Sequence, residues 1–168
     1  MNKIVFSVYV DNTAGVLSRV AGLFSRRGFN IDSLTVSETE NPLYSRMTIV
    51  AGGDDQVFDQ IKKQLAKLED VKEVKVLHPD SAVTRELILV KIKAEPAERQ
   101  AVITTADIFR AKIVDVSNSS LTAELTGNQA KIAAFLNLLG DDKIIELVRT
   151  GVTGLERGSE VRGEAWAD

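Results

Sequence analysis

Few side chains in this chain are equipped for covalent or acid–base chemistry. Its 168 residues contain no cysteine and a single histidine, His78. Disulfides, thiol nucleophiles, Cys/His zinc sites and any hydroxyl–imidazole relay beyond that one ring are thereby excluded. His78 stands in the turn-forming run His78-Pro79-Asp80-Ser81 with no convergent partner, and reads as a solvated histidine of a connection. Ser18, Ser25 and Ser33 have no base beside them, and the carboxylates are scattered along helix faces and turns. Binding chemistry is better served. The run Val10-Asp11-Asn12-Thr13-Ala14-Gly15-Val16-Leu17 ends an alternating stretch and opens a helical one. A helix start exposes unpaired N–H groups and a partial positive charge, which suit a carboxylate. Gly15 lets a ligand approach those groups closely, and Asn12 offers donors and an acceptor to an ammonium group or to the helix end. By itself the run fits a capped helix as well as a ligand site.

The elements that must position this turn follow from periodicity. Ile4, Phe6, Val8 and Val10 alternate as a strand. Val16, Val20, Leu23 and Phe24 follow at helical spacing, and Arg26-Arg27-Gly28 supplies the stop signal. Two strands lie around Glu40-Asn41-Pro42, then a helix carrying Phe58, Ile61, Leu65 and Leu68, then a strand through Val71, Val74 and Val76. The order is βαββαβ. It recurs with Ile88-Val90-Ile92, a helix bearing Val102, Ala106 and Phe109, strands around Ser117-Asn118-Ser119, a helix capped at Gly127-Asn128, and Ile144 to Val148. The expected fold is α+β, two tandem ferredoxin-like βαββαβ units. Residues 1–78 form the first, 79–84 the linker, 85–157 the second, and 158–168 a flexible tail holding the lone Trp166. Apolar Val5, Tyr9, Leu87 and Leu89 on the faces opposite the helices call for oligomerisation through sheet faces or edges. A net charge of −3 argues against a nucleic-acid partner, and no apolar run approaches the ~18 residues that cross a bilayer. With no targeting segment at its start, the chain is expected in the cytoplasm.

The run from Asp11 to Val36, ungapped through polar and apolar positions alike, resembles the small regulatory subunit of acetohydroxyacid (acetolactate) synthase. Ser45 to Ile49, Arg85-Glu86-Leu87, Ile108-Phe109-Arg110 and Arg149-Thr150-Gly151 extend the resemblance to about Arg157. That resemblance implies an N-terminal ACT domain, pairing into a homodimer and binding valine or another branched-chain amino acid between two such units, and a C-terminal ACT-like domain. It places the effector turn on Asn12, Gly15, Val16 and Leu17, with Asn30 and Ile31 contributed by the facing unit. It also implies a separate catalytic large subunit carrying thiamine diphosphate, Mg and FAD, no cofactor or metal on this chain, and a non-catalytic role: stimulation of that subunit and feedback inhibition by valine. In the second half the corresponding run is Ala94-Glu95-Pro96-Ala97-Glu98, whose carboxylates would repel a ligand carboxylate, so binding is expected in the first half alone. Arg19, Arg26 and Arg27 read either as contacts to the catalytic subunit or as solvated helix charges. The alternative is a free-standing ACT-type amino-acid-binding regulator of another enzyme or of transcription, and for the latter no residues are left here for a DNA-binding helix pair. An enzyme on this scaffold lacks an acid–base or metal constellation.

Overall fold

A computed structural model describes residues 2–158, and Trp166 with residues 159–168 of the expected tail lies outside them. The first unit runs β1 (Asn2–Asp11), α1 (Val16–Arg26), β2 (Ile31–Glu38), β3 (Tyr44–Gly53), α2 (Asp55–Ala66) and β4 (Val71–Leu77). Its antiparallel sheet has the order β2-β3-β1-β4, so the first and last strands are neighbours and β2 forms an edge. Alternation puts Phe6, Val8 and Val10 of β1 and Met47, Ile49 and Ala51 of β3 on one face. Val16, Val20, Leu23 and Phe24 of α1 and Phe58, Ile61 and Leu65 of α2 close over them. Asp54 caps α2 by accepting from the Val57 N–H at 2.9 Å.

The second unit repeats this plan. It consists of β5 (Ala82–Lys93), α3 (Arg99–Ile108), β6 (Lys112–Val116), β7 (Ser120–Gly127), α4 (Gln129–Leu139) and β8 (Ile144–Arg149), with order β6-β7-β5-β8. Ile88, Val90, Ile92, Leu121, Ala123 and Leu125 form its buried face under Val102, Ala106, Ile132, Phe135 and Leu139. The two halves differ at the exit of their first helices. Gly28 takes the left-handed conformation after α1, whereas Arg110 does so after α3 with φ 57°.

A ninth strand, β9 (Thr153–Glu156), is the element that periodicity did not show. It pairs antiparallel with Ala82 to Arg85 at the start of β5, while Glu86 onward joins β7. Residues 82–84 are therefore strand, and the turn between the halves is confined to His78–Ser81, where the Ser81 N–H donates to the His78 carbonyl at 3.1 Å. The β5–β9 ribbon lies over the face of the first sheet opposite its helices. Gly154 packs on Leu77, and Leu155 lines a recess with Ser7, Arg46 and Lys75. Tyr9, on that face, is 2% exposed, stacked on Tyr44 and lying beneath the Arg46 guanidinium. Part of the apolar surface that suggested a partner is thus covered by the chain itself.

Candidate ligand-binding site

The turn leaving β1 is held from three sides by backbone. The Asp11 N–H donates to the Asp70 carbonyl at 2.9 Å and the Asn12 N–H to the Leu43 carbonyl at 2.8 Å. The Asn12 side chain adds a bond from Nδ2 to the Pro42 carbonyl at 2.9 Å. Its donors serve the β2–β3 turn rather than the helix end, which leaves Oδ1 as the acceptor it can offer. Gly15 then takes φ 86° and ψ −8°, the left-handed region where a Cβ is costly, and starts α1 without any side-chain cap. The first N–H bond of the helix is weak, Val16 N–H to the Thr13 carbonyl at 3.5 Å. Open N–H groups at an exposed, uncapped helix start are donors awaiting an acceptor.

Arg19 overhangs the turn. Its Nη1 lies 2.8 Å from where a Cβ on Gly15 would stand, and it is drawn sideways by Asp70 through bonds of 2.6 and 3.1 Å. That guanidinium holds the Asp70 carboxyl below the ordinary carboxylate range, against the opposing effect of desolvation, with Lys72 assisting. The Arg19 pKa is raised reciprocally.

The structure separates the remaining expected residues. Val16 is 3% exposed and belongs to the core, so only its backbone faces a ligand, whereas Leu17 is 43% exposed at the helix start. Asn30 and half-buried Ile31 lie beyond the other end of α1, whose 11 residues span roughly 16 Å. Asn30 Nδ2 donates to Asp32 at 2.6 Å, and Asp32 also meets Lys3 at 3.1 Å. Lys3 lowers the Asp32 pKa, with Asn30 adding to the effect against desolvation. One chain therefore holds the expected effector residues as two groups, at opposite ends of one helix. Among the described residues, no group of three His or acidic side chains gathers as a metal site. No described helix is long and apolar enough to cross a membrane.

Two runs that carried the resemblance without a role meet each other. Arg149 grips Glu86 with bonds of 2.9 and 2.7 Å, and Thr150 Oγ1 accepts from the Leu87 N–H at 3.1 Å. Glu86 is 4% exposed, and its carboxylate raises the Arg149 pKa. Glu86, Arg149 and Thr150, together with Lys3, Asp32 and Ser33, line a cavity of about 360 Å³ between the units. Arg, Glu and Thr at these positions carry no periodic signal, so only the fold could reveal this meeting.

A doubled βαββαβ chain, with a glycine-led helix start in its first unit alone, defines a tandem ACT-type protein. The AHAS small subunit-like ACT domain model matches residues 6–73, and the model for the small subunit of acetolactate synthase matches residues 85–158. The chain belongs to the acetolactate synthase small-subunit family. It is 53% identical to the "probable acetolactate synthase small subunit" of Methanothermobacter thermautotrophicus, covering 92% of this chain and 93% of that protein. It is 48% identical to the acetolactate synthase isozyme 3 small subunit of Escherichia coli, covering 94% and 97% respectively. The crystal structure of the acetolactate synthase small subunit from Thermotoga maritima superposes with a TM-score of 0.87 at 40% identity, covering 95% of this chain and all of that one.

Proposed function

We propose that this chain is a non-catalytic regulatory subunit. It binds valine, or another branched-chain amino acid, between two copies of its first unit. It stimulates a separate catalytic subunit, on which thiamine diphosphate, Mg and FAD reside, and confers feedback inhibition on it in the cytoplasm. The names of its relatives support the catalytic partner, since a small subunit presupposes a large one. The observation that carries the reading is Gly15, which bends left-handed into an uncapped helix start.

The two groups of effector residues meet if β2, an edge strand whose ladder partner among the described residues is β3, pairs antiparallel with its copy across a two-fold axis. The two α1 helices then run side by side in opposite directions. The Gly15 end of one reaches the Asn30 end of the other. The ligand carboxylate sits on the open N–H groups of Gly15 and Val16, and its ammonium on Asn12 Oδ1 or Asn30. Its branched side chain enters the space between Leu17 and Ile31. A ligand spanning both copies binds the pair better than separate chains and stabilises it.

The test is acetolactate formation from pyruvate by the catalytic subunit, with and without this chain and valine. The chain alone is expected to be inactive, to raise the catalytic rate when added, and to make that rate valine-sensitive. A rate unaffected by the chain, or equally valine-sensitive without it, would overturn the reading.

A further inference from the structure

Between the units, one residue of the second clasps the strand that carries half of the candidate site. Val152, 2% exposed, lies across β2. Its N–H donates to Ser33 Oγ at 2.8 Å, and its carbonyl accepts from Thr35 Oγ1 at 3.2 Å. Ser33 and Thr35, two apart on a strand, share the face away from the helices, while Leu34 between them packs into the core. Gly151 brings the connector this close. It takes φ 89°, and a Cβ there would stand 2.9 Å from Ser33 Oγ, 3.2 Å from Thr35 and 3.3 Å from the Leu34 carbonyl. On one side of the clasp, Thr150 is bonded to Leu87 and Arg149 to Glu86, both on β5 of the second sheet. On the other, the register of β2 slips between Ile31 and Ser33, a bulge at Asp32 that sets the clasp one irregular step from Asn30 and Ile31.

We infer that the Gly151–Val152 clasp on Ser33 and Thr35 is the coupling element through which effector binding at the end of β2 is felt in the second unit. The inference rests on the effector reading above. A ligand that seats Asn30 and Ile31 tightens the bulged start of β2, and the two hydroxyls pass that ordering to Val152. From there it enters β8 and β5 through Thr150 and Arg149. Two hydrogen bonds to the backbone of one buried residue make this connection directional in a way that apolar packing alone does not. Another tie between the units, Lys75 to Glu156 at 2.9 Å, lies at the far edge on β4.

The experiment is amide hydrogen exchange on the full chain with and without saturating L-valine, beside calorimetry. In the wild type, valine should slow exchange in residues 144–156 by at least about five-fold, the lower end of usual allosteric coupling. The double variant Ser33→Ala with Thr35→Val should bind valine within about two-fold of wild type yet confine the slowing to the first unit. Thr35→Ser, which keeps the donor, should transmit as the wild type does. Gly151→Ala attacks the clasp from the other strand and should also uncouple, so the test does not depend on one variant folding. Valine binding with no slowing beyond β2, or undiminished transmission in both uncoupling variants, overturns the inference alone. Absence of valine binding to the wild type removes the effector reading and this inference with it.

Discussion

At Gly15 the backbone conformation and the chemistry make opposite demands on a substitution. The φ of 86° disfavours most side chains, but aspartate tolerates the left-handed region and is a favourable first residue for a helix. Its carboxylate would also meet Arg19, whose Nη1 already hangs over the site. Gly15→Asp should therefore fold, with Tm within a few degrees of wild type, and lose valine binding because its own carboxylate occupies the N–H groups. Calorimetry with a thermal melt checks both halves, and retained binding would place the ligand elsewhere. The glycine and its helix start were legible from spacing, and the six residues of the expected site came from the resemblance. The roles of Asn12 and Val16 were not legible. Whether an amide faces a helix end or a neighbouring turn depends on Pro42, thirty residues away, and a valine at helical spacing serves core and ligand equally well in a sequence. At the second cavity, Arg149→Ala would leave the buried Glu86 carboxylate without its partner. A loss of about 2–3 kcal/mol is expected in a denaturant titration, less than for a fully enclosed pair because Arg149 is half exposed.

Among the elements, the helix exits of the two units are an internal control. Arg110 bears a left-handed backbone where Gly28 stands in the first unit. Arg110→Gly should relieve that strain and, after the entropic cost of glycine, add about 0.5–1 kcal/mol, seen as a Tm rise of about 1–4 °C. A fall in Tm would show that the Arg110 side chain contributes more than its backbone costs. The β1–α1 junction has its own pH signature. The Asp70 carboxyl titrates lower in the folded chain than in the unfolded one because of Arg19. Its contribution is complete above the unfolded carboxylate pKa near ~3.9 and is lost as pH falls through the lower folded value. Asp70→Asn should flatten the acid limb of a stability-versus-pH curve below about pH 4 and leave its shape near neutrality unchanged. Eight strands and four helices follow the apolar periodicities, since each buries one face in a local core. β9 does not. Its four residues are bracketed by glycines at 151 and 158, and its partner is the start of β5, seventy residues earlier in the chain.

Across the whole molecule, the first sheet is enclosed by α1 and α2 on one face and by the β5–β9 ribbon on the other, which leaves the β2 edge open for a second copy. That closure explains why Leu77 is buried without a partner chain, a contact that crosses from one unit to the other, whereas Tyr9 is covered by Tyr44 and Arg46 of its own sheet. On the proposed function, the two groups of effector residues become adjacent only when two chains associate. Valine should therefore tighten the dimer, and sedimentation at falling protein concentration should show dissociation delayed by the amino acid. The most direct measurement of the central claim is the backbone amide spectrum of the full chain titrated with L-valine. The account predicts saturable shifts at Gly15, Val16 and Leu17, together with Asn30 and Ile31. Shifts confined to the cavity around Glu86 and Arg149, with the Gly15 to Leu17 amides unmoved, would contradict it.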